Sequence, residues 1–241
     1  MLHLLSIIFL GPILLAQGFF VRLSVPELPE APGKRKGHTG NGPPLRVLIT
    51  GDSAAAGIGA DSQAQALSGK LTAHLAPVFT VSWKLVAKNG KTTSDLIGWL
   101  SQLPPEPFDV VVTSLGVNDI TSGVSLGTWL KRQEHLVNLL RRKFSATQIL
   151  LSGVPPMDKF PALPRLLRWV IGSQTKRFNR ALEAWVNTQP DCNFLILPDS
   201  LDATHIAPDG FHPGPKVYEL WGRLAAQAII RPRRIHTASP G

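Results

Sequence analysis

The chain has 241 residues, 44% of them hydrophobic and 17% charged, a balance that suits one folded domain and excludes an intrinsically disordered chain. Twenty-five Lys and Arg against sixteen Asp and Glu leave a net charge of +9, which raises nucleic acid, an anionic membrane surface or an acidic substrate without choosing among them. With Cys192 as the only cysteine, no intramolecular disulfide, cysteine-rich zinc site or iron–sulfur cluster can be built within the chain.

Residues 1–21 contain no Lys, Arg, Asp or Glu and match the roughly 20 residues that span a hydrocarbon core, so they read as one transmembrane helix. A cleaved signal peptide is the competing reading, although the basic n-region is missing and the small residues near Ala16 make a poor cleavage site. A buried core helix fits less well, because Pro12 interrupts the run and a Pro/Gly-rich stretch follows. Arg22, Lys34, Arg35 and Lys36 lie on the carboxyl side, and the positive-inside rule then places the main domain in the cytoplasm, anchored to the inner membrane by a single pass. Signal cleavage would instead leave it periplasmic or secreted. Residues 22–44 read as a flexible Pro/Gly-rich linker, the domain is expected over 45–230, and 231–241 form a basic tail.

Within the domain, short apolar runs recur at 46–51, 81–90, 108–116, 147–155 and 193–198, nearly continuous in Val, Ile and Leu as strands buried on both faces are. Between them, Leu126, Trp129, Leu130, Gln133, Leu136, Val137 and Leu140 keep helical spacing, as do Phe178, Ala181, Leu182 and Trp185. The alternation predicts a three-layer α/β/α domain with a flavodoxin-like, five-stranded parallel sheet. Its site should lie outside the carboxyl ends of the strands.

Four blocks place reactive residue types there. The first strand ends in Gly51-Asp52-Ser53, a hydroxyl at a strand-to-helix turn, where Ser is also a common helix N-cap. The second ends in Asn89-Gly90, where a glycine lets a backbone N–H approach a substrate or simply makes a turn. The third ends in Gly116-Val117-Asn118-Asp119, whose Asn amide could face an oxyanion or make an Asx turn. Before the last helix, Asp209 and His212 sit three residues apart, completing nucleophile, base and orienting acid by type. Asp199, Asp202 and His205 compete from the same closing region, and the spacing to His212 favours Asp209.

This order of GDS, a glycine turn, GxND and DxxH resembles the SGNH subgroup of the GDSL esterase and lipase family, over roughly residues 45–230. The resemblance implies Ser53 as nucleophile, His212 as general base, Asp209 as its orienting acid, and an oxyanion hole of the Ser53 and Gly90 N–H groups with the Asn118 side chain. It implies an acyl-enzyme route and calls for no metal or organic cofactor. Two departures stand out: Ala54 replaces the name-giving Leu, and KNGKTT is a degenerate second block, which leaves Gly90 the weakest carry-over. The expected substrates are acyl esters such as lysophospholipids or short acylglycerols, or thioesters. A carbohydrate-ester deacetylase of the same family and a non-catalytic lipid-binding module are the alternatives.

The charge is localised. Between Ser125 and Val186 there are eleven Lys and Arg against three acids, a balance of +8 that leaves the rest of the chain nearly neutral. Residues 160–171 mix bulky apolar residues with Arg, as a segment resting on anionic lipid would; a solvated basic face over a core helix is the competing reading. Nucleic acid is an unsupported partner, since aromatic residues are few and no recognition motif appears.

Overall fold

The computed structural model of the chain describes residues 2–198 and 203–231, with side chains over 11–198 and 204–231. In chain order it forms α1 (Leu2–Ser24), β1 (Lys36–Thr39), β2 (Pro44–Gly51), α2 (Ser53–Ala56), α3 (Leu67–Leu75), β3 (Thr80–Ala87) and α4 (Thr93–Gln102). There follow β4 (Val110–Ser114), α5 (Val117–Thr121), α6 (Leu126–Phe144), β5 (Gln148–Ser152), α7 (Arg165–Val186), β6 (Cys192–Leu195) and α8 (Pro215–Ile230).

The sheet has six strands in the order β1-β3-β2-β4-β5-β6. The five expected strands are parallel, and their order reverses at β2, whose two neighbours β3 and β4 continue the chain on opposite sides. That reversal is the switch point at which open α/β sheets hold ligands. Strand alternation feeds two cores: Leu48, Val111, Ile149 and Leu151 face Leu96, Trp129, Leu136 and Phe178. On the other side, Val47, Ile49, Val112 and Leu150 face Leu71, Leu75, Tyr218 and Trp221. Val110 and Val112 enter one core and Val111 the other, and all five residues of β4 are buried, which is why its apolar run is continuous rather than alternating.

The sixth strand corrects the expectation of five. β1, with the polar sequence KGHT, pairs antiparallel with β3. It covers the backbone groups of an otherwise open edge, so part of the stretch expected to be a flexible linker belongs to the sheet. Upstream of it, Ala31 is buried in the second core.

At the amino end, α1 continues past Val21 to Ser24. Among the described residues no helix is long and apolar enough to cross a membrane, so the transmembrane expectation finds no support; the side chains of residues 1–10 lie outside those described. Farther along, Leu14 and Val21 pack against the first core, and Gln17 Oε1 accepts the Leu167 N–H at 3.1 Å. In residues 160–171, Phe160, Leu163, Leu167 and Ile171 are buried, and Trp169 alone of the large apolar side chains there is exposed. Arg168 folds back to donate to the Leu163 and Pro161 carbonyls. The basic tail beyond Arg231 falls outside the described residues.

Candidate active site

β2 delivers Ser53 to the switch point. At its end, the Asp52 N–H donates to the Ser114 carbonyl of β4 at 3.1 Å. Gly51 is needed for this approach, since a Cβ there would stand 2.3 Å from the Ser114 oxygen. Asp52, buried, caps α2 by accepting the Ala54 N–H at 3.1 Å, and Ser53 is the first residue of the helix. From the opposite side of the turn, the Tyr218 hydroxyl donates to the carbonyls of Ala54 and Ile58 at 3.1 and 2.6 Å. The serine thus sits on a turn fixed by the neighbouring strand and by α8.

His212 arrives on a closed loop. Ala207 N–H donates to the His212 carbonyl at 2.8 Å, and Gly214 N–H to the His205 carbonyl at 2.9 Å. Within the loop, Asp209 Oδ1 accepts the Phe211 and His212 N–H groups at 2.9 and 3.0 Å, while Oδ2 meets His212 Nδ1 at 2.5 Å. Burial pushes the Asp209 carboxyl up, but these hydrogen bonds from the His212 ring and the two amides outweigh it and hold the group below its ordinary value. A carboxylate accepts only, so Nδ1 carries the proton and Nε2 presents its lone pair. The Phe211 ring packs edge-on against both His212 and Phe160, at 5.3 and 5.2 Å between centroids.

Ser53 and His212 line one pocket at the carboxyl ends of β4, β5 and β6. Its walls are mostly apolar, with Leu115, Pro156, Phe160, Ile206, Phe211 and Trp221 contributing, and Lys159 also lines it. Ser152 on its wall is engaged by the Trp221 indole N–H at 3.2 Å. Gly90 and Asn118 stand outside this lining. Gly90 turns the chain after β3 with φ +74°, in open space. Asn118 donates through Nδ2 to the Lys91 carbonyl at 3.0 Å, which leaves that amide a second N–H. The two therefore meet at one turn.

That turn is buttressed by Asp119, whose carboxylate is fully buried. It accepts the Thr93 N–H and hydroxyl at 3.0 and 2.8 Å, with Arg132 at 3.5 Å. Of the competing residues, His205 does not line the pocket, and Asp199 and Asp202 lie outside the described residues. Cys192 is buried and its thiol pushed up to about 12, chiefly by burial, so this thiol is not a competing nucleophile at neutral pH. Among the described residues no group of His, Cys, Asp and Glu gathers as metal ligands.

Asp52 is the most perturbed carboxyl here, pushed up to about 7 by burial, against the Ala54 hydrogen bond and with a further push from Asp119. A carboxyl that keeps its proton longer folded than unfolded favours the fold at low pH. That contribution is lost as pH rises from the ordinary 3.8 through about 7. Asp52→Asn keeps an oxygen for the Ala54 N–H and cannot ionise. It is expected to melt progressively above the wild type as pH is raised from about 5 to about 8, with little difference near pH 4. Parallel melting curves across that range would contradict the assignment.

Residues 49–220 match the GDSL-like Lipase/Acylhydrolase family model. Among solved structures, a lipolytic protein of the G-D-S-L family from Veillonella parvula is 16% identical with a TM-score of 0.61, covering 77% of this chain and 98% of its own. A carbohydrate esterase family 2 enzyme with a carbohydrate-binding domain from Corynascus thermopiles (Myceliophthora fergusii) is 18% identical with a TM-score of 0.62, over 85% and 68%. A carbohydrate acetylesterase from Sinorhizobium meliloti is 18% identical with a TM-score of 0.58, over 77% and 98%. At these identities the likeness is one of fold. No curated protein matches the chain by sequence.

Proposed function

We propose that this chain, which belongs to the GDSL-like lipase and acylhydrolase family and is an enzyme acting on ester bonds, cleaves carboxylic esters that carry an extended apolar acyl group. The observation that carries the reading is the convergence of Ser53 and the Asp209–His212 pair on one apolar pocket. Acetyl would leave most of such a lining unused, whereas a longer chain gains about 0.8 kcal/mol for each methylene it buries.

In this reading Ser53 Oγ attacks the ester carbonyl while His212 Nε2 takes its proton. The tetrahedral oxyanion is held by the Ser53 and Gly90 N–H groups and the free N–H of Asn118, donors aimed at charge that develops only in the transition state. Collapse breaks the C–O bond, and His212 returns the proton to the departing alkoxide, releasing the alcohol. Water, deprotonated by His212, then attacks the acyl-Ser53 ester; the acyl–Oγ bond breaks, His212 returns the proton to Ser53 Oγ, and the carboxylic acid is freed. Asp209 fixes the ring's tautomer and stabilises the imidazolium formed in each half.

A series of p-nitrophenyl esters of increasing chain length tests it. Turnover per KM is expected to rise from acetyl to longer straight chains, by up to roughly tenfold for each pair of added methylenes that the pocket buries. A sharp optimum at acetyl would move the assignment to a carbohydrate-ester deacetylase.

A further inference from the structure

We infer that residues 30–35, which precede the stretch matching the family model, form a strap that holds the Gly90 turn in register with Ser53, with Glu30 as its positioning residue. The inference rests on the oxyanion role proposed for Gly90 and adds a part of the chain outside the four motif blocks.

Glu30 and Arg35 grip the chain immediately before Gly90. Glu30 Oε1 accepts the Asn89 N–H at 2.7 Å, and its Oε2 pairs with Arg35 at 2.9 Å. Arg35 in turn donates through its second terminal nitrogen to the Ala87 carbonyl, and its own carbonyl accepts the Leu85 N–H at 2.7 Å. One ion-paired couple therefore fixes the backbone at 87 and at 89.

The same strap reaches the nucleophile's helix. Gln63 Nε2 donates to the Ala31 carbonyl at 3.0 Å and to the carbonyl of Ala56, the last residue of α2, at 2.8 Å. Gln63 N–H donates to the Pro32 carbonyl at 2.8 Å. A Cβ on Gly57 would stand 2.8 Å from the Ala31 methyl, so the strap lies directly on the helix that begins with Ser53. Around Gly90, with φ +74°, nothing beyond its chain neighbours lies within 4 Å of where a side chain would begin. Its turn is bracketed by the strap on one side and by Asn118 and Asp119 on the other.

An oxyanion donor must be held closely: a displacement of about 1 Å can cost on the order of a hundredfold. The strap's ion pair is partly exposed, with 39% and 29% of the two side chains open, and such a pair contributes little to global stability. Catalysis should therefore suffer from its loss more than folding does.

The test compares Glu30→Ala, Glu30→Gln, Arg35→Ala and Arg46→Ala in the full chain, beside the wild type and Ser53→Ala. Arg46 pairs with Asp109 at the far end of β2 and serves as a stability control. The strap predicts that Glu30→Ala and Arg35→Ala lower kcat by roughly ten- to a hundredfold with KM within about twofold. Affinity for a trifluoromethyl ketone, whose tetrahedral adduct needs the hole, should fall in parallel. Glu30→Gln, which keeps an acceptor for the Asn89 N–H, should retain most of kcat, and Arg46→Ala all of it. If Glu30→Ala and Arg35→Ala keep wild-type kcat while Ser53→Ala is inactive, the strap is wrong and the serine mechanism stands. Loss of kcat only in proportion to loss of folded protein overturns the strap as well, and full activity in Ser53→Ala would overturn the reading beneath it.

Discussion

Ser53→Ala is expected to abolish ester hydrolysis, by on the order of a millionfold in kcat, while leaving the circular dichroism spectrum and melting temperature close to wild type. The kinetic loss follows from removing the atom that forms the acyl bond; the His212 base and the oxyanion donors can then assist only direct attack by water. The fold should survive because the turn does not depend on the hydroxyl. α2 is capped by Asp52, the turn is tied to β4 through Asp52 N–H and Ser114, and Tyr218 holds it from α8. Deleting one oxygen at a site only 9% exposed leaves a space smaller than a methyl group. Activity against p-nitrophenyl esters with the spectrum recorded on the same sample checks it, and full activity in the variant would remove the serine from the mechanism.

Asp209→Asn should be nearly as damaging, with a fall in kcat on the order of ten thousandfold if the carboxylate sets the tautomer of His212 as it does in serine triads generally. The geometry separates two jobs of this side chain. One oxygen accepts the Phe211 and His212 amides and shapes the loop; the other takes the ring proton. Asn can keep the first job with its carbonyl oxygen, but then turns an NH2 toward Nδ1. The ring must accept there and carry its proton on Nε2, where it cannot take one from Ser53. The loop should therefore keep its shape while the base fails. The carboxylate's stabilising bonds also hold Asp209 below the ordinary carboxylate range. They contribute to stability above that range and are lost as pH falls through the lowered value, so the variant's melting temperature should depend less on pH at the acid end. Unchanged kcat would place the orienting acid elsewhere.

The candidate trio was legible because its signals are local. Asp209 and His212 lie three residues apart, Ser53 closes an apolar strand, and nearly continuous Val and Ile mark strands with helices on both faces. What stayed hidden depends on contacts distant in sequence. Glu30 meets Asn89 across 59 positions and Thr93 meets Asp119 across 26, and neither pairing leaves a periodic trace. β1 was hidden because KGHT is polar and finds its place only as an edge strand against β3. The inward packing of residues 160–171 was hidden for another reason. Their mixture of Arg and bulky apolar residues resembles an interfacial helix, but Arg168 turns back onto its own loop and Phe160 packs edge-on to Phe211 over the pocket. Composition gives the ingredients of such a segment and not the direction its side chains take.

The stretch between Ser125 and Val186, nearly the whole of the chain's excess charge, is partly explained by the same packing. Arg141 holds Asp191 with contacts of 2.8 and 2.5 Å, Lys176 meets Asp158 at 2.8 Å, and Arg132 reaches buried Asp119. Arg141, Arg142 and Lys143 also crowd the last turn of α6, where cations complement the helix dipole. Several of these charges therefore bind the α6 and α7 layer to the sheet and its loops.

The claim on which all of this turns is that Ser53 is the nucleophile, and covalent capture tests it most directly. The full chain is treated with a fluorophosphonate probe, residual hydrolysis is followed in time, and the modified peptide is located by mass spectrometry. The expected result is a single adduct on Ser53, formed as activity is lost and absent from the His212→Ala variant, whose serine lacks its base. An adduct on another residue that tracks the loss of activity, or hydrolysis that continues with Ser53 fully modified, would contradict it.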